Sequence, residues 1–456
     1  MAGSFASFGS ALSALRHSQV VADIAAGNIA NAGTEGYHRR RVEAASGTMP
    51  ITPARWSHPA VGQGSGVSVL DVSRMTDPLL DARARREHGR MEQLAVRTET
   101  LARLESGIGE PGDHGVSAAM ASFRQAWHDL ANQPSSDAAR NQVISAGVEV
   151  AEALATQARR FGEEATDQRT ALGEFVAETN ALTQELGQLN EAIARDRLSG
   201  VSNPDLIDQR DRVAMRLSEL TGATTEVRAD GGMDVTLGGA SLVNGKEVQP
   251  LTITAEDPLD LAISGPTGDV PVTAAVGGAI GATVEIITVT IPTYLAGLDA
   301  TAAQLADDVN AAHRAGYTAD GSPAGDFFTY GPAAASSLHV AVTQPGEVGA
   351  SGVAGGAVDG SNATAVSDSI RGGEAAYRSL VTDFGITVAT ADRLARNQSV
   401  LTDQIDLSRQ QIAGVNTDEE VISIAQAQRS FEAASRVITV VDSLLDTLIN
   451  RTGVLR

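Results

Sequence analysis

The chain has 456 residues, no cysteine, 4% aromatic residues and a formal net charge of -22. The length allows two to four domains, and the missing cysteine rules out disulfides, thiolate nucleophiles and cysteine-bound zinc. The negative surplus sits in the middle: residues 101–410 carry 19 basic and 41 acidic residues, against 11 and 9 in residues 1–100 and 4 and 6 in residues 411–456. Nucleic acid is not expected as a partner, because phosphate binding needs a basic face. No uninterrupted apolar run approaches the roughly 18 residues of a membrane span, so no membrane contact is expected. The start, MAGSFASFGSALSALRHS, lacks a basic cluster, a smooth apolar core and a cleavage site. It is not read as a conventional secretory signal.

Residues 4–31 predict one amphipathic helix. Its apolar series runs Phe5, Phe8, Leu12, Leu15, Ala22, Ala26 and Ile29, with Gln19 as the polar interruption. These positions step by three and four, the seam of a coiled coil. The helix stops at Asn31-Ala32-Gly33, a turn signal. Residues 34–75 change to an extended period, with Val67, Val69 and Val72 following a glycine-rich turn at 62–66.

Thr76 or Asp77 caps the next helix, with Pro78 in its first turn, running to about Ser106. Further helices are predicted over about 115–131, 136–198 with possible breaks at Gly162 or Gly173, and 204–222. Short alternating runs and glycine turns then predict strands from 223 to about 291. Within them, Val284-Glu285-Ile286-Ile287-Thr288-Val289 reads as a strand. A helix follows at about 293–315, loops and strands cover 316–372, and helix returns from about Gly373 to Gln411. Asp418, Glu419 and Glu420 place negative charge at the start of a closing helix. That helix carries a second seam: Ile424, Ala427, Phe431, Ala434, Ile438, Val441, Leu445 and Leu448.

The expected fold is therefore multidomain and mainly α, with a β-rich centre. The terminal helices pair as a coiled coil, an elongated helical bundle follows, and a β-domain lies distal. The layout is 1–75 with 412–456 as a terminal domain, 76–222 with 373–411 as the bundle, and 223–372 as the β-rich outer region. Matched seams at both ends predict a subunit of an assembly.

The chemistry-bearing residues carry little signal for catalysis. His88 with Glu92, and Glu110 with His114, have helical spacing but lack a third metal ligand. Gly62–Gly66 lacks the ending and following helix of a phosphate loop. No nucleophile–base order and no carboxylate pair can be defended, so no catalytic, metal or cofactor site is assigned. Asn28 and Asn31 stand three apart at the end of the first helix, spaced to hydrogen-bond the backbone of a neighbouring subunit.

NIANAGTEGYHRR after a terminal helix resembles the N-terminal motif of the flagellar axial proteins of rod, hook and hook-associated type. GVNTDEEVISIAQAQRSFEAASRVITVVDSLLDTLINRTG is similar to the C-terminal helix of that family. VGQGSGVSVLDVSRMTDPLLDARARRE, NPDLIDQRDRVAMRLSELTG and YLAGLDATAAQLADDVNAAHRAGYTADGSPAGDFF resemble its hook-associated branch at the hook–filament junction. The resemblance implies a non-enzymatic adaptor that joins hook to filament through its terminal helices. It assigns Leu12, Leu15, Asn28, Asn31, Gly36 and Tyr37, with Phe431, Ile438, Leu445 and Leu448, to the axial core. The partners it implies are a ring of identical subunits, hook protein, hook-associated protein 3, and an export chaperone acting on the C-terminal helix. It implies an extracellular place on the flagellum, reached by the flagellar type III export channel without signal cleavage. Two alternatives stay open: another axial protein, such as hook protein or hook-associated protein 3, and a secreted adhesin with an active β-rich centre.

Overall fold

The computed structural model describes residues 2–47, 66–112, 115–200, 202–266, 268–356 and 358–447. Helices dominate, and several of their starts follow the sequence signals. α1 (Ala2–Ala30) opens the chain and leads through a bend into a two-stranded antiparallel hairpin, β1 (Arg40–Ser46) and β2 (Val67–Arg74). The Asp77 side chain then accepts from the Leu79 and Leu80 amides to start α2 (Pro78–Ile108), which ends at Gly109 with φ 68°. These bonds satisfy amides that a helix start leaves without partners. α3 (Val116–Asn132) precedes α4 (Asp137–Leu198), capped by Ser136, and α5 (Pro204–Thr221), capped by Asn203 and closed by Gly222 at φ 68°.

α4 runs 62 residues without a break, roughly 93 Å at the α-helical rise. Gly162 and Gly173, the expected break points, lie within it and face open space. This helix is the spine of the molecule, because three cores are strung along it. Val143, Val150 and Leu154 join the first core, around Trp127, Phe123, Phe327 and Phe328. Phe161 belongs to the second, stacked on Tyr294 at 4.1 Å with Phe384 edge-on to both. Leu172, Leu186 and Leu189 join the third, built with α5 and the β-strands.

Those strands form two antiparallel sheets. β3 (Thr224–Val227), β4 (Met233–Leu237), β5 (Ala240–Asn244) and β6 (Glu247–Val248) make a four-stranded meander. β7 (Leu251–Glu256), β8 (Leu259–Gly265) and β9 (Gly268–Pro271) make a three-stranded one. β4 shows the alternation that the sequence predicts, with Met233, Val235 and Leu237 buried. Two asparagines of α4 hold the sheets. Asn180 donates to the Leu251 carbonyl and accepts from its amide, both at 2.8 Å. Asn190 makes the same pair with Met233, also at 2.8 Å, and donates to the Gly245 carbonyl at 2.7 Å. A carboxamide copies the donor–acceptor pair of a peptide, so it satisfies strand backbone that has no neighbouring strand.

The strand expected at 284–289 is helical. α6 (Gly278–Glu285), a π-helical turn (Ile286–Thr290) and α7 (Ile291–Arg314) form one continuous helix. Pro292 explains the widened turn: proline lacks an amide hydrogen and its ring crowds the preceding carbonyls. The Ile291 amide reaches back five residues to the Ile286 carbonyl. Burial of Ile280, Ile286, Ile287 and Ile291 outweighs the strand preference of that β-branched run. By length and composition this 37-residue helix could cross a membrane, but these side chains pack into the cores.

Beyond α7 the only strands among the described residues are two-residue pieces, β10 (Phe328–Thr329) and β11 (His339–Val340), with a short α8 (Ala334–Ser337) between them. His313 organises this stretch. Its Nδ1 lies 2.7 Å from the Gly325 carbonyl, to which it donates, and its Nε2 accepts from the Gly349 amide at 2.8 Å. α9 (Ser361–Ala413) begins a dozen residues earlier than Gly373, and α10 (Thr417–Asp446) closes the described chain.

Candidate functional site

The two ends of the chain lie side by side. The end of α1 meets the start of α10, so the helices run antiparallel. The buried positions of α10 repeat every seven residues: Glu420, Ala427, Ala434 and Val441. Ile424, Ile438 and Leu445 are half-buried beside them, and Phe431 is 38% exposed. On α1 the buried positions are Ala11, Ser18, Ala25 and Asn28, with Ala14 and Val21 half-buried. This series is the expected one shifted back by one residue. Leu12 is 36% exposed and Leu15 half-buried. The helix has turned by about 100° relative to the seam drawn through its larger side chains. Small side chains on both helices let the two backbones come close. Phe8, Leu12, Phe431, Val437, Val440 and Leu444 are left exposed. Leu448 lies outside the described residues.

A polar joint closes one end of the pair. Asn28 is fully buried. Its Nδ2 donates to the Arg40 carbonyl at 2.9 Å and to Glu420 Oε2 at 3.0 Å. Its Oδ1 accepts from the Tyr37 hydroxyl at 2.8 Å and the Arg40 amide at 3.0 Å. All four hydrogen-bonding positions of the carboxamide are filled. Arg39 donates to Glu420 at 2.7 Å and Glu419 at 2.8 Å, and its amide donates to the Ala413 carbonyl at 2.9 Å. The acidic first turn of α10 therefore serves the other end of the chain, while Asn416 provides its cap. Asn31 donates to the Gly27 carbonyl at 2.9 Å and accepts from Thr34. Within this single chain both asparagines bond to their own chain. Gly36 sits at φ 73°, where a Cβ would come within 2.4 Å of the Arg212 side chain, so only glycine fits.

A second joint ties this assembly to α5. Side chains alternate along the extended segment 38–40. Arg39 faces α10, while His38 and Arg40 face α5. His38 Nδ1 lies 2.8 Å from Asp208, and Arg40 binds Asp205 and Asp208. Arg74, the β2 partner of Arg40, binds Asp208 at 2.9 Å and Asp211 at 2.6 Å. Burial alone would raise the Asp211 carboxyl, but Arg210 and Arg74 hold it below its ordinary range. Burial likewise raises the Tyr37 phenol, against the Arg40 guanidinium 4.8 Å from its ring centre. Buried ion pairs of this kind fix geometry more surely than they add stability, because desolvation offsets much of the attraction.

Sequence reasoning picked out Asn28, Asn31, Gly36 and Tyr37, and read Glu420 as charge at a helix start, but it did not pair Glu420 with Asn28 or Arg40 with α5, and it missed His38, Arg74 and the α5 aspartates. The signal was present: Asp205, Asp208 and Asp211 step by three along one helix face, and His38 and Arg40 step by two along a strand. Of the two metal-like pairs, the one with His114 lies outside the described residues. His88 lies 2.9 Å from Asp406, and among the described residues no group of three potential ligands could hold a metal.

Comparison with known proteins bears on this arrangement. Residues 101–328 match the flagellar hook-associated protein FlgK helical domain, and residues 401–451 match the flagellar basal body rod FlgEFG protein C-terminal region. Flagellar hook-associated protein 1 of Bacillus subtilis is 28% identical over 504 aligned residues, covering 100% of this chain and 99% of that protein. The protein of that name from Salmonella typhimurium is 25% identical over 335 residues, covering 70% of this chain and 59% of its relative. The solved hook junction protein FlgK of Burkholderia pseudomallei superposes with a TM-score of 0.50 at 25% identity, over 55% of this chain and 47% of that one. The helical-domain match spans half of the sequence, and the chain belongs to the FlgK family of flagellar hook-associated proteins.

Proposed function

We propose that this protein is a structural subunit of the flagellum that joins hook to filament, docking through its paired chain ends. The observation that carries the reading is the division of apolar surface on those ends. Small residues are spent on the intramolecular seam, and Leu12, Phe431, Val437, Val440 and Leu444 face outward. A monomer gains nothing from an uncovered row of large apolar side chains, whereas an assembly buries it. The α1–α10 pair is then a short coiled coil presenting a second apolar face to identical subunits in a ring. The acidic remainder, the bundle and β-rich parts, forms the outer layer.

The partners that fit are further copies of this chain, hook protein on one side and hook-associated protein 3 on the other. An export chaperone would cover the C-terminal helix before assembly. The place is the outside of the cell at the hook–filament junction, reached through the flagellar export channel without a cleaved signal. The role is not enzymatic. Electron microscopy of a deletion strain tests the reading. Hooks without filaments, with flagellin shed into the medium, are expected; normal filaments in that strain would refute it.

A further inference from the structure

The turn between β5 and β6 carries Asn244-Gly245, followed by Lys246, the only lysine of the chain. Asn244 is exposed, and Gly245 takes φ 59°, as two-residue hairpin turns require. Asparagine before glycine is the pair most open to spontaneous loss of ammonia, because no side chain shields the following backbone nitrogen. That nitrogen, once deprotonated, attacks Asn244 Cγ. The new N–Cγ bond forms, the Cγ–NH2 bond breaks, and ammonia leaves. Water then opens the five-membered imide to aspartate or isoaspartate.

We propose that Asn244 is a latent deamidation site and that Asp234 sets its rate. The Gly245 amide donates to Asp234 Oδ1 at 2.8 Å. The proton that must leave is therefore tied to a carboxylate, and the anion that must form would lie beside a negative charge. Arg228 donates to Asn244 Oδ1 at 2.9 Å and to both Asp234 oxygens at 3.1 Å. One ion pair thus holds the attacking nitrogen and the carboxamide it would attack. The unfolded chain has neither restraint.

The stakes lie in what the turn supports. Asn190 of α4 donates to the Gly245 carbonyl at 2.7 Å. An isoaspartyl link adds one atom to the main chain of a two-residue turn. The pairings of Val243 with Val248 and Asn244 with Glu247 then lose register, and α4 loses its hold on the turn. Deamidation would mark aged copies by loosening the four-stranded sheet.

The test is peptide mapping by mass spectrometry of the full chain during incubation at neutral pH. Conversion at Asn244 should be about fivefold slower in the folded than in the denatured chain, the effect of the hydrogen bond that ties the Gly245 amide to Asp234. Asp234→Ala should speed conversion in the folded chain about fivefold. Asp234→Asn, which keeps an acceptor but removes the charge, should fall between Asp234→Ala and the unaltered protein. Asn244→Gln should remove the conversion. Equal rates in folded and denatured chain overturn the proposal without any variant. So does a folded Asp234→Asn protein that converts at the unaltered rate, and that near-isosteric change serves where Asp234→Ala does not fold.

Discussion

Asn28 and Glu420, 392 positions apart in sequence, meet side chain to side chain at 3.0 Å in the buried joint between the first and last helices. Asn28 donates twice and accepts twice there, so the joint depends on a carboxamide at that position. Asn28→Ala leaves the Arg40 amide and carbonyl and the Tyr37 hydroxyl without their partner. A loss of about 3 kcal/mol in unfolding free energy is expected by chemical denaturation. Asn28→Asp restores the acceptor but sets a carboxylate against Glu420, so it should not recover stability. A variant as stable as the unaltered protein would mean that water replaces the carboxamide.

Ala434 and Val440 separate the inner face of α10 from its outer one. Ala434→Phe overfills the seam and should destabilise the chain by about 1–3 kcal/mol. Val440 is 57% exposed, so Val440→Asp should change monomer stability by no more than about 0.5 kcal/mol. It should nevertheless abolish filament attachment in cells. Normal swimming with Val440→Asp would remove that face from the assembly.

Asp211 makes the second joint sensitive to acid. Its native pKa lies below the ordinary value of 3.8, so the unfolded state takes up a proton first as the pH falls. The stability it contributes is present at neutral pH. It is lost progressively from about pH 5 downward through the depressed native value. Asp211→Asn should lower stability at neutral pH and flatten the acid limb of a plot of denaturation midpoint against pH. An unchanged limb would assign acid sensitivity elsewhere.

His313 acts with the same sign at higher pH. Burial pushes its pKa below the ordinary 6.5, and the neutral ring both donates and accepts. The unfolded chain binds a proton near pH 6.5 while the native chain resists, so stability falls as the pH drops from about 7 toward the lower native value. His313→Gln should remove that slope, measured by denaturation midpoints on either side of pH 6.5. A slope that persists in the variant would point to another group.

The long helices were legible because their caps are local: Asp77, Ser136, Asn203 and Gly222 announce ends within a few residues of sequence. The phase of α1 was not. Apolar residues lie on more than one of its faces, and a period read from the larger ones selects the face that stays open. Ala11, Ser18 and Ala25 give too weak a hydropathy signal to be chosen over Leu12 and Leu15. The run at 284–289 misled for a different reason: β-branched residues favour strands locally, and only burial on several sides makes them helical. The ion clamp could be seen in fragments, as spaced aspartates and alternating cations, but not as a pairing, because charge positions far apart in sequence do not name their partners.

Arg40 belongs to both joints at once. Its backbone bonds to Asn28 on both sides, and its guanidinium holds Asp205 and Asp208. A pull along α1 therefore reaches α5 through a single residue, with no flexible segment between. Losing the Arg40 side chain would loosen the hold on α5 while leaving its backbone bonds to Asn28 in place, so the two joints can be uncoupled at one position.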